Sequence, residues 1–72
     1  MATTAEIFVK RLKELMQEKQ KSSYALADAT GIPRTTISGW LTRVKNPNLD
    51  YLVTLANYFD CTVDYLIGRT NH

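Results

Sequence analysis

Within residues 33–42 four side chains that can donate hydrogen bonds, Arg34, Thr35, Ser38 and Thr42, recur at a spacing that gathers them on one side of a helix. With Arg34 set at zero and about 100° per residue, Ser38 falls at about 40°, Thr42 at about 80° and Thr35 at about 100°. Pro33, Ile37, Trp40 and Leu41 occupy the arc from about 240° to 340°, so the apolar face is separate. Gly39, at about 140°, widens the polar arc with a position that has no side chain. A slim, donor-rich face of this kind suits insertion into a groove about 12 Å wide lined with acceptors, the major groove of duplex DNA. Arg34 lies near the helix N-terminus, and its fork matches guanine O6 and N7. Thr35 and Ser38 can hydrogen-bond a base edge or touch a thymine methyl.

Other chemistries find no support in the residues. The chain has no paired carboxylates placed for acid–base work, no Cys/His cluster, no phosphate-cradling glycine loop and no partner for a serine or cysteine nucleophile. Cys61 is alone, so it forms no disulfide within the chain, and Asp60 and Thr62 beside it supply no activating base. His72 has no second ligand nearby in sequence. The expectation is a protein without catalytic residues, metal, cofactor or small-molecule ligand.

The elements that must position the donor face are legible from caps and periodicity. Thr3 followed three residues later by Glu6 is a capping box that starts a helix at Thr4. Phe8, Leu12, Leu15 and Met16 then mark its buried stripe, and the helix is expected over about 4–20. Ser22 caps a second helix over 23–30, which Gly31 stops by taking a left-handed conformation. Pro33 suits the first position of a third helix over 33–41. Asn46-Pro47-Asn48 is a turn, with Asn48 capping a fourth helix over 49–59 that packs Leu52, Leu55, Ala56 and Phe59. Thr62 caps a fifth over 63–67, ended by Gly68. The fold class is all-α, a five-helix bundle occupying residues 1–72 as one domain.

Within it, Ala27, Gly31 and Ile37 meet the needs of two helices crossing steeply over a tight turn. Ala27 is small at the approach, Gly31 supplies φ > 0, and Ile37 is buried beneath both helices.

A chain of 72 residues buries about 60% of its unfolded surface, which leaves no room for a large enclosed active site. The net charge of +2 is uninformative beside its distribution. From Ala29 to Leu49 the charges are Arg34, Arg43 and Lys45, all positive; from Asp50 to Asp64 they are Asp50, Asp60 and Asp64, all negative. One end of the domain is expected to attract phosphate. Lys10, Arg11 and Lys13, interspersed with Glu14 and Glu18, read instead as the solvated face of the first helix. No basic segment leads into an apolar run and no apolar run reaches membrane-spanning length, so the expectation is an unprocessed cytoplasmic protein.

Leu26-Ala27, Gly31-Ile32-Pro33, Thr36-Ile37-Ser38, Trp40, Asn46-Pro47, Leu52, Leu55-Ala56 and Asp64-Tyr65-Leu66 together resemble the lambda-repressor-like (Cro/C1, XRE) helix-turn-helix family, over nearly the whole chain. The resemblance implies a small transcriptional regulator, a repressor, whose helices 2 and 3 form the helix-turn-helix. It implies base contacts from Arg34, Thr35 and Ser38, and DNA-backbone contacts from Ser23, Thr36, Thr42, Arg43 and Lys45. It further implies a homodimer on a palindromic operator with half-sites about 34 Å apart. The subunit contact is expected on the last helix and its flanks, at Tyr58, Val63, Tyr65 and Ile67. The second reading is a helical protein-interaction module that keeps the fold without binding DNA.

Two positions depart from the family pattern. Met16 and Leu41 stand where the family often has an Arg–Glu pair between helices 1 and 3; replacing both charges strands neither, and the two apolar side chains are expected to meet. Ser23 replaces a longer Gln that reaches phosphate and braces the third helix, which shortens the reach of that contact. Lys21 replaces a usual Leu and is either exposed or a further phosphate contact. Trp40 shares the arc of Ile37 and is read as core rather than as a base-stacking residue.

Overall fold

A computed structural model describes residues 2–70. Its described residues form five helices: α1 (Thr4–Glu18), α2 (Ser23–Thr30), α3 (Arg34–Leu41), α4 (Leu49–Phe59) and α5 (Val63–Leu66). His72 lies outside the described residues.

Helix starts follow the capping side chains. Ser22, Asn48 and Thr62 each accept the N–H three residues on, and Thr3 and Glu6 make both halves of the capping box. Three boundaries differ from the sequence expectation. Pro33 is the N-cap of α3 rather than its first residue, because its ψ of 137° is extended although its φ of −57° suits a helix. α1 ends at Glu18, since Gln20 turns left-handed at φ 55°. α5 ends at Leu66, with Ile67 as its C-cap.

Helix ends are closed by main-chain bonds. After α3 the Arg43 and Val44 N–H groups bond to the Trp40 and Gly39 carbonyls, and after α1 the Gln20 and Lys21 N–H groups bond to those of Gln17 and Met16. These are Schellman closures, which usually place glycine at the left-handed position; Gln20 and Arg43 occupy it here.

Gly31 and Gly68 are both left-handed, but their surroundings differ. A Cβ on Gly31 would meet nothing within 4 Å, whereas one on Gly68 would lie 2.7 Å from Ile7 Cγ2. Gly31→Ala is therefore expected to cost about 1 kcal/mol, the left-handed penalty alone, and Gly68→Ala about 2–4 kcal/mol because Ile7 must also move. Denaturant unfolding of the two variants checks the order.

The core is assembled from every helix. Phe8, Leu12, Leu15 and Met16 of α1 meet Leu26, Ile37, Trp40, Leu52, Leu55, Phe59 and Leu66, all buried. Trp40 is 1% exposed at their centre, edge-on to Phe8 at 5.8 Å and to Tyr51 at 5.6 Å between ring centroids. Ile32, next to the turn glycine, is buried as well. Met16 is buried and Leu41 is partly buried at the margin of the same cluster. Among the described residues no buried side-chain nitrogen or oxygen lacks a hydrogen-bond partner.

Arg11 departs from the solvated face expected of it. Its guanidinium stacks over the Tyr65 ring at 4.3 Å and donates to the Tyr65 and Thr70 carbonyls. It ties α1 to α5 and to the chain that leaves it, satisfying one carbonyl in the last turn of α5 and one beyond the helix end.

Candidate nucleic-acid interface

α2 and α3 pack against each other across the turn that Gly31 allows, and α1 supports α3 from below. Two local bonds hold that turn: the Thr30 hydroxyl donates to the Leu26 carbonyl and accepts from the Ile32 N–H. Ala27 is partly buried against the core and Ile37 is fully buried, as two closely crossing helices require.

The outer face of α3 carries the donors. Arg34, Thr35, Ser38 and Thr42 are exposed, Thr36 and Gly39 are half-buried, and Ile37 and Trp40 are sealed inside. With eight residues α3 is about 12 Å long, a length the major groove accepts. α3 also begins without a side-chain cap, since its N-cap is proline, so its first-turn N–H groups are not capped by a side chain.

Arg34 is held by a residue that the sequence reading did not single out. Its guanidinium carbon lies 4.2 Å from the centroid of the Tyr24 ring, and its Nη1 donates to the Tyr24 hydroxyl at 3.0 Å. Tyr24 is the second residue of α2 and is 64% exposed. A large aromatic left in water at the start of a helix was the available signal; its pairing across ten residues depends on how the turn sets α2 against α3.

Beyond α3, the left-handed Arg43 reverses the chain, and the Val44 and Lys45 N–H groups both reach the Gly39 carbonyl, at 2.9 and 3.1 Å. The reversal lays the Lys45 stem on α3. A Cβ on Gly39 would be 3.0 Å from Lys45 Cδ. The gap at Gly39 is thus filled by lysine methylenes, which keep an exposed ammonium beside the donor face.

Arg43 is 3.8 Å from Glu6, so the run free of acids along the sequence is not free of them in space. Both groups are exposed, and a pair this long in water is readily exchanged for another anion. The Glu6 carboxyl is held below its ordinary value, first by the Thr3 backbone N–H, then by the Thr3 hydroxyl, then by the charge of Arg43. Because the folded form favours the carboxylate, this contribution to stability is present above the ordinary carboxylate range and is lost as acid protonates the folded group.

The Thr42 hydroxyl donates to the Ser38 and Gly39 carbonyls, at 2.9 and 3.3 Å. As placed it presents lone pairs rather than a proton to an incoming phosphate. Ser23, at the first position of α2, is half-buried.

Among the described residues one groove, of about 250 Å³, is lined by Thr4, Ala5, Phe8, Asn46, Pro47, Leu52 and Ile67, none of which titrates. Among the described residues, no group of three or more metal-ligating side chains is gathered, and no helix is long and apolar enough to cross a membrane. Burial, then the charge of Asp60, pushes the Cys61 thiol up, away from the reactive thiolate.

Residues 11–71 match the model of the Cro/C1-type HTH DNA-binding domain. The chain is 41% identical over 59 residues to the HTH-type transcriptional regulator AnsR of Bacillus subtilis, covering 82% of this chain and 51% of that protein. It is 34% identical over 65 residues to the uncharacterized HTH-type transcriptional regulator YobD of the same organism, covering 90% and 58%. It is also 38% identical over 76 residues to the uncharacterized HTH-type transcriptional regulator RP766 of Rickettsia prowazekii, covering 100% and 79%. The chain thus spans somewhat over half the length of the two Bacillus relatives. No solved structure matches the chain significantly. The family and these relatives are HTH regulators rather than enzymes. A five-helix bundle with its donor face on α3, a glycine turn before it and this match across residues 11–71 make the chain a member of the Cro/C1-type helix-turn-helix family.

Proposed function

We propose that this chain is a sequence-specific double-stranded-DNA-binding regulator of transcription, acting as a repressor in the cytoplasm, with α3 in the major groove. The observation that carries the reading is the exposed Arg34, Thr35 and Ser38 face of α3, flanked by the exposed cations Arg43 and Lys45. In this reading Arg34, Thr35 and Ser38 read bases, while Ser23, Thr36, Arg43 and Lys45 address the backbone, joined by Thr42 once its hydroxyl turns its proton from the Ser38 carbonyl to a phosphate. Arg43 exchanges Glu6 for a phosphate, and Lys45 meets one from its seat on Gly39.

One monomer makes few base contacts, so we propose a homodimer on a palindromic operator. The molecule measures 31 × 25 × 22 Å, so copies centred on half-sites about 34 Å apart lie within reach of each other. Tyr58, Val63, Tyr65 and Ile67 are half-buried against their own core. The large apolar side chains that face outward are Tyr24, Val44, Leu49 and Val53. Leu49 and Val53, one turn apart on α4, with Val44, are the better subunit contact.

Binding to a random duplex tests the reading. With two phosphates neutralised by Arg43 and Lys45, raising salt from about 50 to 200 mM is expected to weaken the affinity of one monomer about ten-fold. Affinity that ignores salt would contradict it and leave the helical protein-interaction module.

A further inference from the structure

We infer that Tyr24 is a positioning residue that sets base specificity, by holding the Arg34 guanidinium over its ring with Nη1 on its hydroxyl; this rests on the DNA reading above. An exposed arginine ordinarily samples many rotamers and must be ordered at the moment of contact. Here the 4.2 Å contact with the ring and the 3.0 Å hydrogen bond restrain the fork at two points before any partner arrives. The two contacts come from α2, so the Gly31 turn that sets the helix crossing also sets the aim of Arg34.

The donor arithmetic suits the purpose. Arginine has five N–H donors, and Tyr24 takes one on Nη1, which leaves the parallel Nε and Nη2 pair intact. Two parallel donors are what guanine O6 and N7 accept. The Tyr24 hydroxyl accepts from Arg34, so its own proton is left for an acceptor such as a phosphate oxygen. A ring 64% exposed at the second position of α2 contributes little to the core and much to this stack.

The test is a comparison of duplexes selected from a random library, varied at the base pair whose preference disappears in Arg34→Ala. Tyr24→Ala is expected to lower discrimination at that pair about three- to ten-fold, while Tyr24→Phe, which keeps the ring contact and loses the hydroxyl bond, falls between wild type and Tyr24→Ala. In the Arg34→Ala background, Tyr24→Ala is expected to change nothing further at that pair. Melting curves unchanged from wild type accompany these results. Discrimination unaffected by Tyr24→Ala overturns the inference while the DNA reading stands, and so does an equal loss on every duplex that persists without Arg34. A wild-type chain that shows no salt-sensitive duplex binding overturns the reading beneath it and the inference together.

Discussion

A Trp40→Ala variant is expected to melt at least about 15 °C below wild type and to lose duplex affinity at the temperatures where it unfolds. Truncating a buried aromatic costs about 3–5 kcal/mol, and a chain of 72 residues holds roughly 4–11 kcal/mol in all. Trp40 is 1% exposed and lies edge-on to both Phe8 and Tyr51, so its removal opens a cavity between α1, α3 and α4 at once. The surrounding side chains belong to different helices and cannot collapse into that space without moving α3. Circular dichroism against temperature measures the effect. A variant that melts within a few degrees of wild type would show that α3 is held in place by something other than this ring.

Arg34→Ala is expected to leave the melting curve unchanged and to cost about 1–3 kcal/mol on the preferred duplex, relaxing the preference at one base pair. Lys45→Ala is expected to behave differently, weakening all sequences alike and reducing the salt slope by about 1. The contrast follows from where the two cations sit. Arg34 opens α3 with its fork fixed by Tyr24, a group oriented to read. Lys45 lies past the end of α3 with its stem on Gly39, a mobile point charge placed at the side. Competition binding on matched and mismatched duplexes, repeated at two salt concentrations, separates them. If Lys45→Ala relaxed a base preference and Arg34→Ala lowered every affinity equally, the assigned roles would be reversed.

Much of this architecture is legible in the chain because the signals are local. Thr3, Ser22, Asn48 and Thr62 mark four helix starts, and each acts within three residues of itself. Gly31 and Gly68 mark two stops by taking a left-handed conformation. The inward set of α3, Ile37 and Trp40, and its outward set, Arg34, Thr35 and Ser38, follow from one angle per residue. Where a residue type fits two states, the reading slips by one position or so: Pro33 satisfies both a first helical turn and an N-cap, and only ψ distinguishes them.

What the sequence hides is pairing at a distance. Arg11 reads as one more charge on a solvated helix, yet its partners are the Tyr65 and Thr70 carbonyls, 54 and 59 residues away. Glu6 reads as a cap and is one, but it also faces Arg43. The left-handed residue that closes α3 is Arg43, where the usual glycine would have announced the turn. Tyr24 shows its purpose only once α2 and α3 have crossed.

The most direct test of the central claim, that the outer face of α3 meets DNA, is a titration of duplex selected from a random library into isotope-labelled protein, followed by amide NMR shifts. The largest changes are expected on Arg34, Thr35 and Ser38, with smaller ones at Arg43 and Lys45 and none centred on α5. Changes concentrated on α4 and α5, with the amides of Arg34, Thr35 and Ser38 unmoved at saturation, would contradict it.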